Sequence, residues 1–63
     1  MKDFEGKIIK VYFDQAERWV SVTGNYIHTT DKFLVIRDEL SKRIKYINVD
    51  YIRSIEIVGD INE

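Results

Sequence analysis

Apolar residues recur at alternate positions in several short stretches of this 63-residue chain, and this spacing predicts β-strands rather than helices. The stretches are rich in Ile, Val, Phe, Tyr and Thr, and polar clusters separate them. Five strands are expected, at residues 7–13, 18–28, 32–37, 43–49 and 52–58. The pattern therefore favours an all-β fold over a single domain, residues 1–63, in which a five-stranded, strongly bent antiparallel sheet forms a small barrel.

Three local features refine this prediction. The connection at residues 14–17 lacks the Asn-Gly or Asp-Gly pair of a tight hairpin, so a longer, partly helical turn is expected there. Gly24 lies inside the second strand and indicates a bulge or sharp bend. The run of four apolar residues from Phe33 to Ile36 indicates a strand that is buried on both faces.

Some apolar side chains are left over once each strand has a core face. Ile8 and Tyr12 point outward if Ile9, Val11 and Phe13 face the core. Leu34 and Ile36 point outward if Phe33 faces the core. Scattered outward apolar side chains are normal, whereas a contiguous patch marks an interface. We predict a homo-oligomer, with an interface that contains Ile8, Tyr12, Leu34 and Ile36.

Composition limits the remaining possibilities. The chain has no cysteine, which excludes a disulfide framework and a thiolate zinc site. Its net charge of −1 gives no overall attraction for polyanions, so any nucleic-acid surface must be local. No apolar run approaches the roughly 20 residues that span a bilayer, so we expect a cytoplasmic protein without a membrane partner.

Candidate catalytic and metal-binding chemistry is sparse. The serines lie in no nucleophile-elbow motif, and no glycine-rich loop is present to hold a nucleotide. His28 is the single histidine, and no ligand spacing accompanies it, so we interpret it as an ordinary loop residue. We therefore expect no enzyme activity, no metal and no cofactor.

Basic and aromatic residues provide a candidate nucleic-acid site. Lys42, Arg43 and Lys45 form the densest positive cluster, with Arg37 and Lys32 nearby. The alternative is a solvated turn whose charge is balanced by acidic residues before it. Exposed rings also stack bases, but a core of this size needs large side chains, so most of the four candidate rings are expected to pack inside. These rings are Trp19, Tyr26, Tyr46 and Tyr51.

Several segments resemble the Sm-like family, of the LSm and Hfq type, over roughly residues 5–58. They are Glu5-Gly6-Lys7, the V-Y-F-D segment at 11–14, the run at 33–36 and the two closing strands with a tight break between them. Other SH3-like small barrels share these features. The resemblance implies rings in which the fourth strand of one subunit pairs with the fifth strand of the next, with RNA bound at the inner rim.

The position of Arg53 follows from the family's register. The family has an Ile-Arg-Gly-x-x-Ile motif. With its final isoleucine aligned on Ile52, the Ile-Arg-Gly part falls on residues 47–49, and Arg53 then lies inside the last strand. An exposed side chain on an edge strand is the favoured interpretation of Arg53. The Tyr-Lys-His element of the Hfq type falls on residues 48–50, and the first motif falls near residues 29–33, without matching residues. Asn48 and Tyr51 then occupy the rim position with different chemistry and join the predicted nucleic-acid site.

Two functions follow as expectations. The first is a non-enzymatic, homo-oligomeric module that binds RNA or single-stranded nucleic acid through Lys42, Arg43, Lys45, Asn48 and Tyr51. The second is a protein-interaction or assembly module with a protein partner and no nucleic-acid binding. The near-zero charge and the surplus apolar surface favour the second, and the resemblance favours the first.

Overall fold

One antiparallel sheet of five strands makes up the fold in the computed structural model of this protein, which describes residues 2–61. Short 3₁₀ turns precede the first strand, at Lys2–Phe4, and the last strand, at Val49–Tyr51. Each predicted strand is confirmed to within two residues at either end. The strands are β1 (Lys7–Gln15), β2 (Arg18–Thr29), β3 (Phe33–Asp38), β4 (Ile44–Asn48) and β5 (Ile52–Asp60).

The strand order in the sheet is β4-β3-β2-β1-β5, and every neighbouring pair is antiparallel. β4 and β5 are the two edges and do not pair with each other, so the sheet is open. A groove of about 460 Å³ lies between the Lys45–Ile47 stretch of β4 and the hairpin of β1 and β2, because the bent sheet brings these strands to face each other. The predicted all-β antiparallel sheet is confirmed.

The core covers the inner face of this sheet. Alternate residues of β1, among them Ile9 and Val11, are fully buried there, as the alternation predicts. Phe4 packs edge-on against Tyr26, with 5.8 Å between the ring centroids, and closes one end of the core. The buried cluster is Ile9, Val11, Val22, Tyr26, Leu34, Ile36 and Ile47.

The outward position predicted for Leu34 and Ile36 is wrong. Both side chains are fully buried, because β3 turns them toward the inner face, where they pair across the strands with Ile47 and Tyr26. Ile8 and Tyr12 are half-buried on the outer face of β1, and β2 separates β1 from β3. The four residues therefore form no common surface. Val35 is buried as well, so β3 is covered on both faces at its centre.

The connection between β1 and β2 also differs from its prediction. Only Ala16 and Glu17 separate the two strands, and both have positive φ, 52° and 62°. These angles form a two-residue type I′ turn, whose twist matches that of the flanking strands. The strand pairing therefore imposes a turn for which the sequence lacks the usual Asn-Gly.

Gly24 allows β2 and β3 to approach each other closely, and it does not mark a bulge. A Cβ atom at this position would lie 1.8 Å from the carbonyl oxygen of Arg37 on β3. The register shift in this pair of strands occurs later, between Tyr26 and His28. Glycine is thus required at residue 24 because the β3 backbone occupies the space of a side chain.

No helix within residues 2–61 has the length and apolar character needed to cross a membrane. The cytoplasmic location stays a prediction.

Candidate functional site

Asp38 organises the turn between β3 and β4. Its carboxylate accepts hydrogen bonds from the backbone N–H groups of Leu40, at 2.8 Å, and Ser41, at 3.3 Å. The Lys45 ammonium group lies 2.6 Å from the second carboxylate oxygen. The hydrogen bond from Lys45, together with the backbone donors, lowers the pKa of Asp38 to about 2. Asp38 therefore stays ionised at neutral pH and holds Lys45.

The predicted basic cluster is divided by this ion pair. Lys45 is engaged with Asp38, whereas Lys42 and Arg43 are exposed in the turn. Arg37 is exposed at the end of β3 and pairs across the strands with the first residue of β4. Because Lys45 neutralises Asp38, the remaining charges of residues 37–43 are three cations, Arg37, Lys42 and Arg43, and one carboxylate, Glu39. The net charge of this segment is positive.

A depression of about 200 Å³ lies beside these cations. Its polar lining is Arg37, Lys42, Asn25, Asp38 and Glu39, and Ile8 and Ile61 complete its wall. The depression has room for a small anionic group. Among the residues described, neither Arg37 nor Lys42 forms an ion pair.

Asn48 and Tyr51 lie at the opposite end of β4 from the basic turn. The Asn48 side chain accepts a hydrogen bond from the backbone N–H of Asp50, at 2.9 Å, and so caps the 3₁₀ turn before β5. Tyr51 is exposed in that turn. Asn48 is five positions along the chain from Arg43, roughly 16 Å in an extended strand. The structure thus divides the five predicted nucleic-acid residues between two ends of one strand.

The outer face of β3 and β4 carries a second group that the sequence prediction missed as a unit. Phe33 and Tyr46 meet edge-to-face there, with ring centroids 5.9 Å apart. Tyr46 is 64 % exposed and pairs across the strands with Val35, which is 1 % exposed. Arg37 lies two residues from Val35 on the same face. In the register of the two strands, the odd-numbered residues of β3 and the even-numbered residues of β4 share this outer face, and that register was the missing information.

The expectation that most of the candidate rings pack inside is wrong. Tyr26 is buried, but Trp19, Tyr46 and Tyr51 are each more than half exposed. The sheet is open and one layer thick, so its outer face and edges have no second layer to cover large side chains.

The outer face of β1, β2 and β5 is electrostatically balanced. Arg53 lies exposed on edge strand β5, as predicted, with its Nε atom 2.9 Å from the Asp14 carboxylate. Its guanidinium group also lies 5.9 Å from the centre of the Trp19 ring. Trp19 packs against Tyr12, whose hydroxyl donates a hydrogen bond to Glu56. Arg53 is therefore ion-paired with a carboxylate, whereas Arg37 forms no ion pair within residues 2–61.

Both edges of the sheet carry large apolar side chains. On β4, Ile44 is exposed beside Tyr46. On β5, Ile57 is 52 % exposed although it belongs to the inner face, and Val58 is exposed next to it. Apolar residues on unpaired edge strands favour pairing with another chain.

His28 lies exposed on β2 rather than in a loop. Within residues 2–61, no three side chains of the His, Asp or Glu type come close enough together to hold a metal ion.

No family model, no curated protein and no solved structure matches this chain. The Sm-like resemblance therefore stays a hypothesis based on the residues quoted above.

Proposed function

We propose that this chain is a non-enzymatic binding module of the small Sm-like or SH3-like barrel type that works as a homo-oligomer. Copies join by pairing β4 of one subunit with β5 of the next. The observation that carries this proposal is the presence of two unpaired sheet edges, each with exposed apolar side chains.

Edge pairing satisfies two physical requirements at once. It gives hydrogen-bond partners to the free backbone groups of both edges, and it covers apolar surface that a 63-residue chain cannot bury alone. Since the two edges are different strands, the contact is head-to-tail, and repetition gives a closed ring or a filament. A partner strand on β4 would border the groove of about 460 Å³ and complete the barrel wall there. The Sm-like resemblance implies the same pairing.

The native mass of the protein in solution tests this assembly. Ile57→Lys places a charge on the exposed part of β5 and is expected to give a folded monomer. Ile27→Lys is the matched control, because Ile27 is 42 % exposed but lies on the inner strand β2. Native mass spectrometry of the wild type and both variants reads the result directly. A wild-type monomer at all concentrations, or equal masses for the two variants, would refute edge pairing through β5.

Single-stranded nucleic-acid binding is the second candidate function. The specific observation in its favour is the surplus of Arg37, Lys42 and Arg43 over Glu39 at one end of β3 and β4. The chain's overall charge of −1 does not contribute, so binding would rest on this local field. The affinity of a labelled RNA strand should fall with added salt and should fall further when Lys42 and Arg43 are replaced by Gln. Absence of RNA binding at low salt would refute this second function, and the protein-interaction and assembly role would remain.

A further inference from the structure

The depression beside Arg37 and the ring of Tyr46 lie next to each other on the sheet. Arg37 belongs to the depression and also to the outer face of β3. One step of two residues along that face leads to Val35, whose cross-strand partner is Tyr46. Two residues of a strand span about 7 Å. A cationic depression and an exposed aromatic ring are therefore separated by a short distance along one face.

We propose that this arrangement is a nucleotide-binding site for single-stranded nucleic acid, in which the phosphate occupies the depression and the base stacks on Tyr46. Arg37 and Lys42 donate to the phosphate, and the amide of Asn25 adds a neutral donor. The inference rests on the second candidate function above. It replaces the predicted pairing of the basic turn with Asn48 and Tyr51, which lie at the far end of β4.

The orientation of the Tyr46 ring supports stacking. Phe33 contacts it edge-to-face, at an interplanar angle of 86°, and so limits its motion without covering both of its faces. The ring remains 64 % exposed. An ordered, exposed ring is the platform on which unpaired bases stack, with little dependence on which base is present.

Charge distinguishes this part of the outer face from the part formed by β1, β2 and β5. Trp19 is equally exposed, at 65 %, but the arginine beside it is held by Asp14, and Glu56 lies on the same face. Around Trp19, the two carboxylates are matched by two cations, Arg53 and Lys10, so this region offers a polyanion no positive balance. Asp38 and Glu39 both line the depression, but Lys45 neutralises Asp38, so Glu39 alone opposes Arg37 and Lys42 and the balance is positive. A nucleic-acid strand is therefore expected to select the Tyr46 face.

Fluorescence anisotropy of a labelled single-stranded RNA of about ten nucleotides, at low and at physiological salt, tests the site. Tyr46→Ala should weaken binding about 5- to 150-fold, the range of one lost stacking contact, and Tyr46→Phe should bind within about twofold of the wild type. Arg37→Gln should reduce the slope of log affinity against log salt by about 0.7. Trp19→Ala, the matched control, should bind like the wild type.

An abasic strand of the same length separates the two parts of the site. It should bind the wild type more weakly than RNA does, and Tyr46→Ala should remove most of that difference, because no base is present to stack. Native mass and thermal unfolding of each variant show whether assembly and fold are retained. Arg37 lies on the inner strand β3, so its variant tests the phosphate contact independently of the β4 edge.

The outcomes distinguish this site from the function on which it rests. Salt-sensitive RNA binding by the wild type that is unchanged in Tyr46→Ala and Arg37→Gln would overturn the site and leave nucleic-acid binding in place. No binding by the wild type at low salt would overturn both. Loss in Trp19→Ala alone would place the bases at the β1–β2 part of the outer face and refute the charge argument.

Discussion

Replacement of Gly24 by alanine should push β2 and β3 apart. The new Cβ atom would lie 1.8 Å from the carbonyl oxygen of Arg37, against 3.4 Å for an ordinary contact, a shortfall of 1.6 Å. It would also lie 2.7 Å from the Arg37 carbonyl carbon and 3.1 Å from the Cα atom of Asp38. All three atoms belong to the β3 backbone, so no side-chain rotation relieves the overlap.

The expected loss is large for a chain of this size. A shift of more than 1 Å breaks neighbouring hydrogen bonds between β2 and β3 and opens the core beneath them, which costs more than about 3 kcal/mol. A 63-residue domain has a total stability of about 3 to 9 kcal/mol, so Gly24→Ala should unfold much of the population. The change also moves Arg37, so any anion binding should fall with it.

Urea unfolding followed by far-ultraviolet circular dichroism measures this loss. Trp19 is too exposed in the folded state to give a strong fluorescence change. Gly59→Ala on β5 is the matched control, because no atom lies within 4 Å of its new Cβ and its φ is not in the left-handed region. We expect the control to equal the wild type or to exceed it by up to about 1 kcal/mol. Equal midpoints for the two variants would refute the close approach of β3 to Gly24.

Two further predictions concern Asp38 and the first hairpin. The hydrogen bond from Lys45, with that from the Leu40 N–H, lowers the pKa of Asp38 from 3.8 to about 2, so the unfolded chain takes up this proton first as the pH falls. The stability that ionised Asp38 contributes is therefore present above about pH 4 and is lost toward about pH 2. Urea unfolding of the wild type across this pH range should show a steeper fall in the free energy of unfolding than Asp38→Asn shows. Equal slopes for the two proteins would contradict this role of Asp38. In the β1–β2 turn, Ala16→Asn combined with Glu17→Gly should stabilise the protein by about 1 kcal/mol, because these residues accept positive φ more readily. An unchanged or lower thermal midpoint would count against the type I′ turn.

Strand positions could be predicted from the sequence because they depend on local signals. Alternation in residues 7–13 and the polar clusters between strands are properties of neighbouring residues, and β1 begins at Lys7 as the pattern indicates. The faces of β3 could not be predicted in the same way. Four consecutive apolar residues, 33–36, have no alternation, so the sequence contained no information on which of them faced the core.

The candidate site depended on contacts that local patterns do not encode. Lys45 was grouped with Lys42 and Arg43 because they are neighbours in sequence, yet its ammonium group binds Asp38 across the turn. Arg37 and Tyr46 are nine positions apart and become neighbours only through the register of β3 with β4. The solvent exposure of Trp19 and Tyr46 likewise depends on the sheet having no second layer.

The sequence by itself determined the all-β class, the five strands and their approximate bounds, because alternation and turn composition act over a few residues. The tertiary structure alone decided the order of the strands, the two free edges and the face on which each side chain lies. These features depend on the pairing of residues far apart in the chain, and a shift of one residue in that pairing exchanges the two faces of a strand. For this protein, the surfaces available to a partner are therefore a property of register, and both proposed functions depend on it.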